Sequence, residues 1–320
     1  MRAIPLVPLL LGGWLVLPAH ADDAQDLLKR LAQAEQQQSF QGTFVYERNG
    51  SFSTHRIFHR VGDGQVRERL VQLDGPALEV SRLNGTTLCV SSSLAPGVAN
   101  VPDASPRSIN PSKLSAWYDI KAEGPSRVAG RAANVVTLTP RDQHRYGIEL
   151  HLDAQTGLPL KSLLISEKGQ LLERLQFTEL DASVPTDQVL QSTANCKPVE
   201  VAKASADDAK QPVPWHSDWL PGGFELSSSA LRNDSDAKSQ ISSLMYDDGL
   251  SRFSVFIEPV SGAAVTDIRT QLGPTVAVSR RLTTPTGDAM VTVVGEVPMG
   301  TAERIALSMR NDAAATPAKK

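Results

Sequence analysis

The apolar positions of this chain repeat mostly with a period of two. From Ser39 to Val61, two runs rich in aromatic and β-branched residues flank Asn49-Gly50. Both residues of that pair tolerate the positive φ of a type I′ turn, so the stretch predicts a two-residue β-hairpin. Its register sets Glu47 opposite Phe52 and Val45 opposite Thr54, with Phe44 and Tyr46 on the other face opposite His55 and Ser53. Turn signals recur at Gly62-Asp63-Gly64, Asp74-Gly75-Pro76 and Asn84-Gly85, which predicts strands over 65–73, 77–83 and 86–91. Further strands are expected over 119–123, 127–139, 158–166 and 170–180. Between them Ile148, Leu150 and Leu152 alternate with Glu149, His151 and Asp153, the pattern of a strand buried on one face.

Helical spacing is confined to short stretches. Residues 23–38 carry Leu27, Leu31 and Ala34 at i, i+4, i+7, with Ala24, Leu28 and Ala32 widening the stripe and Asp23 as N-cap. Asn110-Pro111 reads as a cap and first helical residue of a short helix reaching Tyr118. Residues 92–110 are rich in Ser, Pro and Gly and predict a long loop.

Past Leu190 large apolar residues thin out, and 196–214 reads as a linker between a sheet domain of residues 22–195 and a second domain of 215–310. A short helix is expected near Thr186. The second domain opens on the aromatic-flanked turn Trp219-Leu-Pro-Gly-Gly-Phe224. It predicts strands over 224–229, 242–246, 252–259, 275–282 and 289–296, then a helix over 301–310. In the strand 252–259, Arg252, Phe256 and Glu258 share one face and Phe253, Val255 and Ile257 the other. The second face suits a core; the first mixes an aromatic with both signs of charge, as interfaces do. Residues 311–320 read as a disordered tail. The fold class is mainly β, α+β, with a large curved antiparallel sheet and a smaller α+β domain.

Charge and composition narrow the function classes. The 320 residues carry a net charge of −3, with no basic excess and no like-charge run, which argues against nucleic acid. Arg2, the apolar run from Ile4 to Leu17 and Ala19-His20-Ala21 form a signal-peptide pattern, predicting cleavage after Ala21 and an exported, soluble product. Cys89 and Cys196 then meet an oxidising compartment, where they either bridge or remain as two unpaired thiols. His55 and His59 are four apart, but on a strand that spacing is about 13 Å, too far to share a metal ion. No nucleophile elbow, phosphate loop or dinucleotide fingerprint occurs, so neither an enzyme nor a cofactor is expected. The aromatics Phe44, Tyr46, Phe52, Phe58, Trp117 and Phe177 are ordinary core or the lining of a lipid cavity, with Tyr46, Phe58 and Trp117 the candidates for an acyl-binding face.

The run Ser39-Phe-Gln-Gly-Thr-Phe-Val-Tyr-Glu-Arg48 resembles the start of the sheet in MucB/RseB proteins. The resemblance continues through Leu114-Ser-Ala-Trp-Tyr-Asp119, Thr139-Pro-Arg-Asp-Gln-His-Arg-Tyr-Gly147, Asp248-Gly-Leu-Ser-Arg-Phe-Ser-Val-Phe-Ile-Glu-Pro259 and Val291-Thr-Val-Val-Gly-Glu-Val-Pro298. The segment from Asp153 to Lys161 also resembles a hairpin of LolA/LolB-type lipoprotein carriers, whose sheets form unclosed barrels around acyl chains. What the resemblance implies is a non-enzymatic brake in the periplasm. Such a protein binds the periplasmic domain of a membrane anti-sigma factor of MucA/RseA type and shields it from proteolysis. Lipopolysaccharide or another acyl lipid would loosen the complex, and a second copy of the chain is a further candidate partner. Arg252, Phe256 and Glu258 are the candidate partner contacts. The rival reading is a lipid or lipoprotein carrier of LolA type.

Overall fold

The computed structural model describes residues 20–75, 77–91, 110–199, 213–234, 239–260, 266–285 and 287–312. Residues 1–19 of the predicted signal peptide 1–21, most of the predicted long loop (92–109), 200–212 of the predicted linker and 313–320 of the predicted tail lie outside them. The chain begins with helix α1 (His20–Gln37), followed by strands β1 (Phe40–Arg48), β2 (Ser51–Gly62), β3 (Gln65–Gln72), β4 (Glu79–Leu83) and β5 (Thr86–Ser91). After a one-turn helix α2 (Pro111–Leu114) come β6 (Tyr118–Val128), β7 (Arg131–Pro140), β8 (Gly147–Asp153), β9 (Pro159–Ile165) and β10 (Leu171–Asp181). A second one-turn helix α3 (Asp187–Leu190) leads to β11 (Cys196–Pro198). All eleven strands form one sheet in the order β11-β5-β4-β3-β2-β1-β10-β9-β8-β7-β6. It is two meanders, each a run of neighbouring hairpins, joined where β1 meets β10.

The opening hairpin has the expected register, Glu47 facing Phe52, Val45 facing Thr54 and Phe44 facing His55. Asn49 and Gly50 hold φ of 53° and 71°, as a type I′ turn requires. Helix α1 starts three residues before Asp23, so Asp23 lies in its first turn and is not the cap. The buried positions are Ala24, Leu28, Leu31 and Ala34, while Leu27 is only partly covered. The stripe seals one face of the sheet by packing on Leu114, Tyr118, Val136, Leu138, Leu150 and Leu152. A second cluster, with Phe40, Phe44, Leu158, Leu160 and Phe177, continues the core across the β1–β10 seam.

Three expectations change. The stretch 127–139 is not one strand: it turns at Ala129-Gly130, both at positive φ, and Ala129 carries no turn signature. The helix opening at Pro111 ends at Leu114, because Tyr118 joins β6. β8 is covered on both faces, since His151 and Asp153 are as buried as Leu150 and Leu152. Their polar atoms are paired: His151 with Ser126 and Glu149 at 2.8 Å each, and Asp153 with Arg131 at 2.5 Å.

The sheet also extends past residue 195. Cys196–Pro198 pairs antiparallel with Ser91–Cys89, and the two cysteines are joined in a disulfide across 107 residues. The segment leading to it straps the sheet face that carries Phe58. Arg60 binds Asp187 at 2.5 Å, Arg69 donates to the Val189 carbonyl at 2.9 Å, and the Thr193 N–H and hydroxyl both donate to Glu79.

The rest of the chain builds β12 (Trp215–Ser217), β13 (Glu225–Asp234), β14 (Ser239–Asp247), β15 (Arg252–Pro259), β16 (Ile268–Leu272), β17 (Thr275–Thr284), β18 (Gly287–Gly295), helix α4 (Met299–Ser308) and β19 (Met309–Asn311). Six strands form a sheet in the order β13-β14-β15-β18-β17-β16, while β12 and β19 pair separately. Helix α4 buries Ala302, Ile305 and Ala306 against Phe253, Val255, Ile257, Val278, Val291 and Val293. The helix ends before Met309, and β19 turns back onto β12, so Asn311 pairs with Trp215 rather than starting a free tail.

Candidate functional site

β15 is central in the second sheet, and its alternation sorts the proposed contact residues as the pattern requires. Phe253, Val255 and Ile257 are buried under α4; Phe256 on the opposite face is half-buried and Glu258 is exposed. Arg252 is pinned to Asp247 by an ion pair of 3.0 Å. Phe256 faces Ser243 on β14 and Thr292 on β18, with Ser254 between Met245 and Val294 one step along. Ser279 and Thr292 hydroxyls bond at 2.9 Å on the same face. The result is an outer sheet face with an aromatic at its centre, small hydroxyls around it and half-covered Met245 and Val294 beside it. Such a mixed, partly apolar face can take up a protein segment.

The three residues suggested for a lipid face are not brought together. Tyr46 lies on the α1 side of the first sheet, near His55, and its hydroxyl donates to Glu173 at 2.6 Å. Burial, then the Glu173 carboxylate, raises its pKa well above the ordinary tyrosine value. Phe58 points to the opposite face, where the Arg69 guanidinium stands 6.0 Å from its ring. It borders a cleft of about 220 Å³ whose other walls are Gln41, Gly42, Thr43, Arg56, Glu179 and Asp181, too polar for acyl chains. Trp117 lies in neither place. A Cβ added at Gly222 or Gly223 would come within 2.2 or 2.3 Å of its ring, so the Trp219–Phe224 turn is laid directly on it. Only glycines permit that approach.

Trp117 therefore belongs to the junction of the two sheets, which residue spacing alone does not reveal. Its centre is Arg145, 1% exposed. The guanidinium donates to Asp248 at 2.7 Å, to Asp142 at 3.1 and 3.2 Å, and to the Gly222 carbonyl at 2.5 Å. Its carbon stands 5.5 Å from the Trp117 and Tyr118 ring centroids and 5.2 Å from that of Phe224. Asp248 also accepts the N–H groups of Leu250 and Ser251, and Leu250 inserts into the core beneath α1. Burial raises the Asp248 pKa, while those N–H groups and Arg145 pull it down less strongly. Beside this joint the Tyr146 hydroxyl donates to the Val297 carbonyl at 2.9 Å, and His144 contacts Thr301 at 3.1 Å. The stretch Arg141–Tyr146 reads as a polar turn; its burial depends on Asp248, 103 residues away from Arg145.

His55 and His59 share the α1 side of the first sheet, stacked on Phe44 and Phe40 at 5.2 and 4.9 Å. One His55 nitrogen meets the Ser53 hydroxyl at 2.8 Å; the other, Nδ1, is buried without a partner. Burial lowers the His55 pKa, with Asp74 opposing more weakly. A histidine kept neutral by the fold contributes stability above its ordinary pKa, and that contribution is lost as pH falls below it. The urea midpoint is therefore expected to fall between pH 7 and pH 5.5, and less steeply in a His55→Gln variant. An identical slope in both proteins would assign the acid sensitivity elsewhere.

Among the described residues no group of three or more His, Cys, Asp or Glu is placed to hold a metal ion. No helix there is long and apolar enough to cross a membrane.

The MucB/RseB N-terminal domain model matches residues 23–201, and the MucB/RseB C-terminal domain model matches 209–310. The chain is 58% identical over 318 residues to the sigma factor AlgU regulatory protein MucB of Pseudomonas aeruginosa, covering 98% of this chain and 99% of the relative. It is 28% identical over 295 residues to the sigma-E factor regulatory protein RseB of Escherichia coli K12, covering 90% and 91%. Among solved structures it is similar to the complex of Pseudomonas aeruginosa MucA/MucB, with TM-score 0.80, 57% identity and coverage of 91% of this chain and 100% of that one. A crystal structure of MucB alone gives 0.68 at 54% identity, covering 91% and 98%.

Proposed function

The chain belongs to the MucB/RseB family, and from that premise we propose that it restrains an envelope-stress sigma factor by binding the periplasmic domain of a membrane anti-sigma factor. Binding, not catalysis, is its activity. The observation that carries this reading is the match of both family domains in order over nearly the whole chain, together with the relative solved as a MucA/MucB complex. Shielding the partner from proteolysis is the mechanism that suits such a protein, since occupying a segment is enough to deny it to a protease. The signal-peptide pattern of residues 1–21 and the Cys89–Cys196 bridge support export to an oxidising compartment such as the periplasm.

The contact surface we propose is the outer face of the second sheet around Phe256. A half-buried aromatic ringed by small hydroxyls has the make-up of an interface anchor. Phe256→Ala is expected to weaken capture of the anti-sigma periplasmic domain by about tenfold, on the order of 1.4 kcal/mol. Calorimetric titration of the full mature chain measures this, and wild-type affinity in the variant would move the contact to another face. Release by lipopolysaccharide or another acyl lipid completes the proposal. Its test is titration of the preformed complex with lipopolysaccharide, and undiminished capture at saturating lipid would remove that step. A carrier of LolA type gains no support from Tyr46, Phe58 and Trp117, which occupy three separate environments.

A further inference from the structure

Among the described residues the two sheets touch in two regions of opposite character. One is the buried joint around Arg145. The other is the tip of the opening hairpin, lying on the β16–β17 turn. There Arg48 Nε and Nη2 donate to the Leu272 carbonyl at 3.0 and 2.7 Å, and Nη2 reaches the Thr275 hydroxyl at 2.5 Å. Asn49 Oδ1 accepts the Gly273 N–H at 3.0 Å. The Arg48 stem lies so close that a Cβ on Gly273 would meet it at 2.6 Å. Leu272 is nevertheless 59% exposed, and Phe52 on the hairpin 64%.

Water can replace each hydrogen bond at the hairpin tip, so parting it strands nothing in an apolar setting. Parting the joint would separate Arg145 from Asp248, both fully enclosed, leaving Asp248 without a cation and Arg145 with Asp142 alone, and would withdraw Leu250 from the first core. Separation therefore starts at the exposed end. We propose that Arg48 and Asn49 form a latch on the β16–β17 turn, and that the Arg145 joint is the hinge about which the second sheet swings when the latch opens. The device stands on the contacts alone and is independent of which partner the chain binds. Opening uncovers the rims of both hairpins, with Phe52 and Leu272 flanking the gap.

The test uses the full mature chain with its native disulfide and pairs of spin labels on exposed positions. Ser51→Cys with Thr270→Cys spans the latch; Ser112→Cys with Leu226→Cys spans the joint. The change introduced is Arg48→Ala with Asn49→Gly, since glycine keeps the turn's positive φ while removing the acceptor. The latch distances are expected to gain a longer population, the open-to-closed ratio rising about tenfold, while the joint distances stay as in wild type. Arg48→Lys, which keeps one donor group at that point, should fall between the two. Unchanged latch distances would overturn the proposal, and so would widening of both pairs together, which would mean undocking without a hinge.

Discussion

Replacing Arg145 with methionine is expected to lower the unfolding free energy by about 3–5 kcal/mol, because it leaves a buried carboxylate without its counter-charge. Asp248 would keep only the Leu250 and Ser251 N–H groups, and Trp117, Tyr118 and Phe224 would lose the cation they enclose. The loss should fall on the coupling of the two sheets, so that a single urea transition separates into two. It should also depend on pH in a definite direction. Burial already raises the Asp248 pKa, and a carboxyl with a raised folded pKa favours the fold at low pH and opposes it as pH rises through that value. Without Arg145 the pKa rises further, so the variant's deficit should be smaller at pH 4.5 than at pH 7. Adding Asp248→Leu should restore much of the loss, since two apolar groups leave no charge stranded. A deficit below about 1 kcal/mol at pH 7 would mean that water reaches the pair, as it does at surface ion pairs.

Removing the disulfide is the second large effect. Cys89→Ser with Cys196→Ser is expected to cost about 2–5 kcal/mol, the range for a native bridge closing a long loop. The effect should be local before it is global. β11 is three residues long, and its approach is held by a few side-chain contacts, Arg60–Asp187, Arg69 to Val189 and Thr193 to Glu79. Without the bridge, residues 187–198 should become the first site of proteolytic cutting while α1 and the β1–β10 seam stay protected. Limited proteolysis followed by mass mapping reads this directly. First cuts elsewhere, at an unchanged urea midpoint, would show that the strap holds without its covalent anchor.

Local chemistry made much of this fold legible. Asn49-Gly50 gave the hairpin register because the turn geometry and the alternation agree, and 252–259 gave its two faces because Phe253, Val255 and Ile257 are buried while Arg252, Phe256 and Glu258 are only partly covered or exposed. The hidden parts depend on distant residues. Ala129 adopts a positive φ within a run that reads as continuous strand. β16 alternates nothing, since all five of its residues are exposed. Arg145 sits in a stretch of Arg, Asp, Gln and His that composition assigns to solvent, and its burial rests on Asp142 beside it together with Asp248, which spacing does not bring near. Trp117 reads from the sequence as core or the lining of a lipid cavity, but it is half-buried against glycines 105 and 106 residues later in the chain. Spacing carries no trace of that meeting.

The seam between β1 and β10 has a consequence for how the sheet comes into being. Within β1–β5 and within β6–β10 every pairing is between neighbours in sequence, so each half can zip locally. The seam joins Gln41 to Asp181 and Arg48 to Glu173, and β11 joins β5, each across more than a hundred residues of intervening chain. Such pairing is the slow step, because so long a loop must close before any pair rewards it. Until Asp181 arrives, the strand that starts first waits with one edge bare. Cys89 lies in the earlier half and Cys196 beyond the later one, so their bond, like the seam, fastens the first half of the sheet to chain that arrives only after the second.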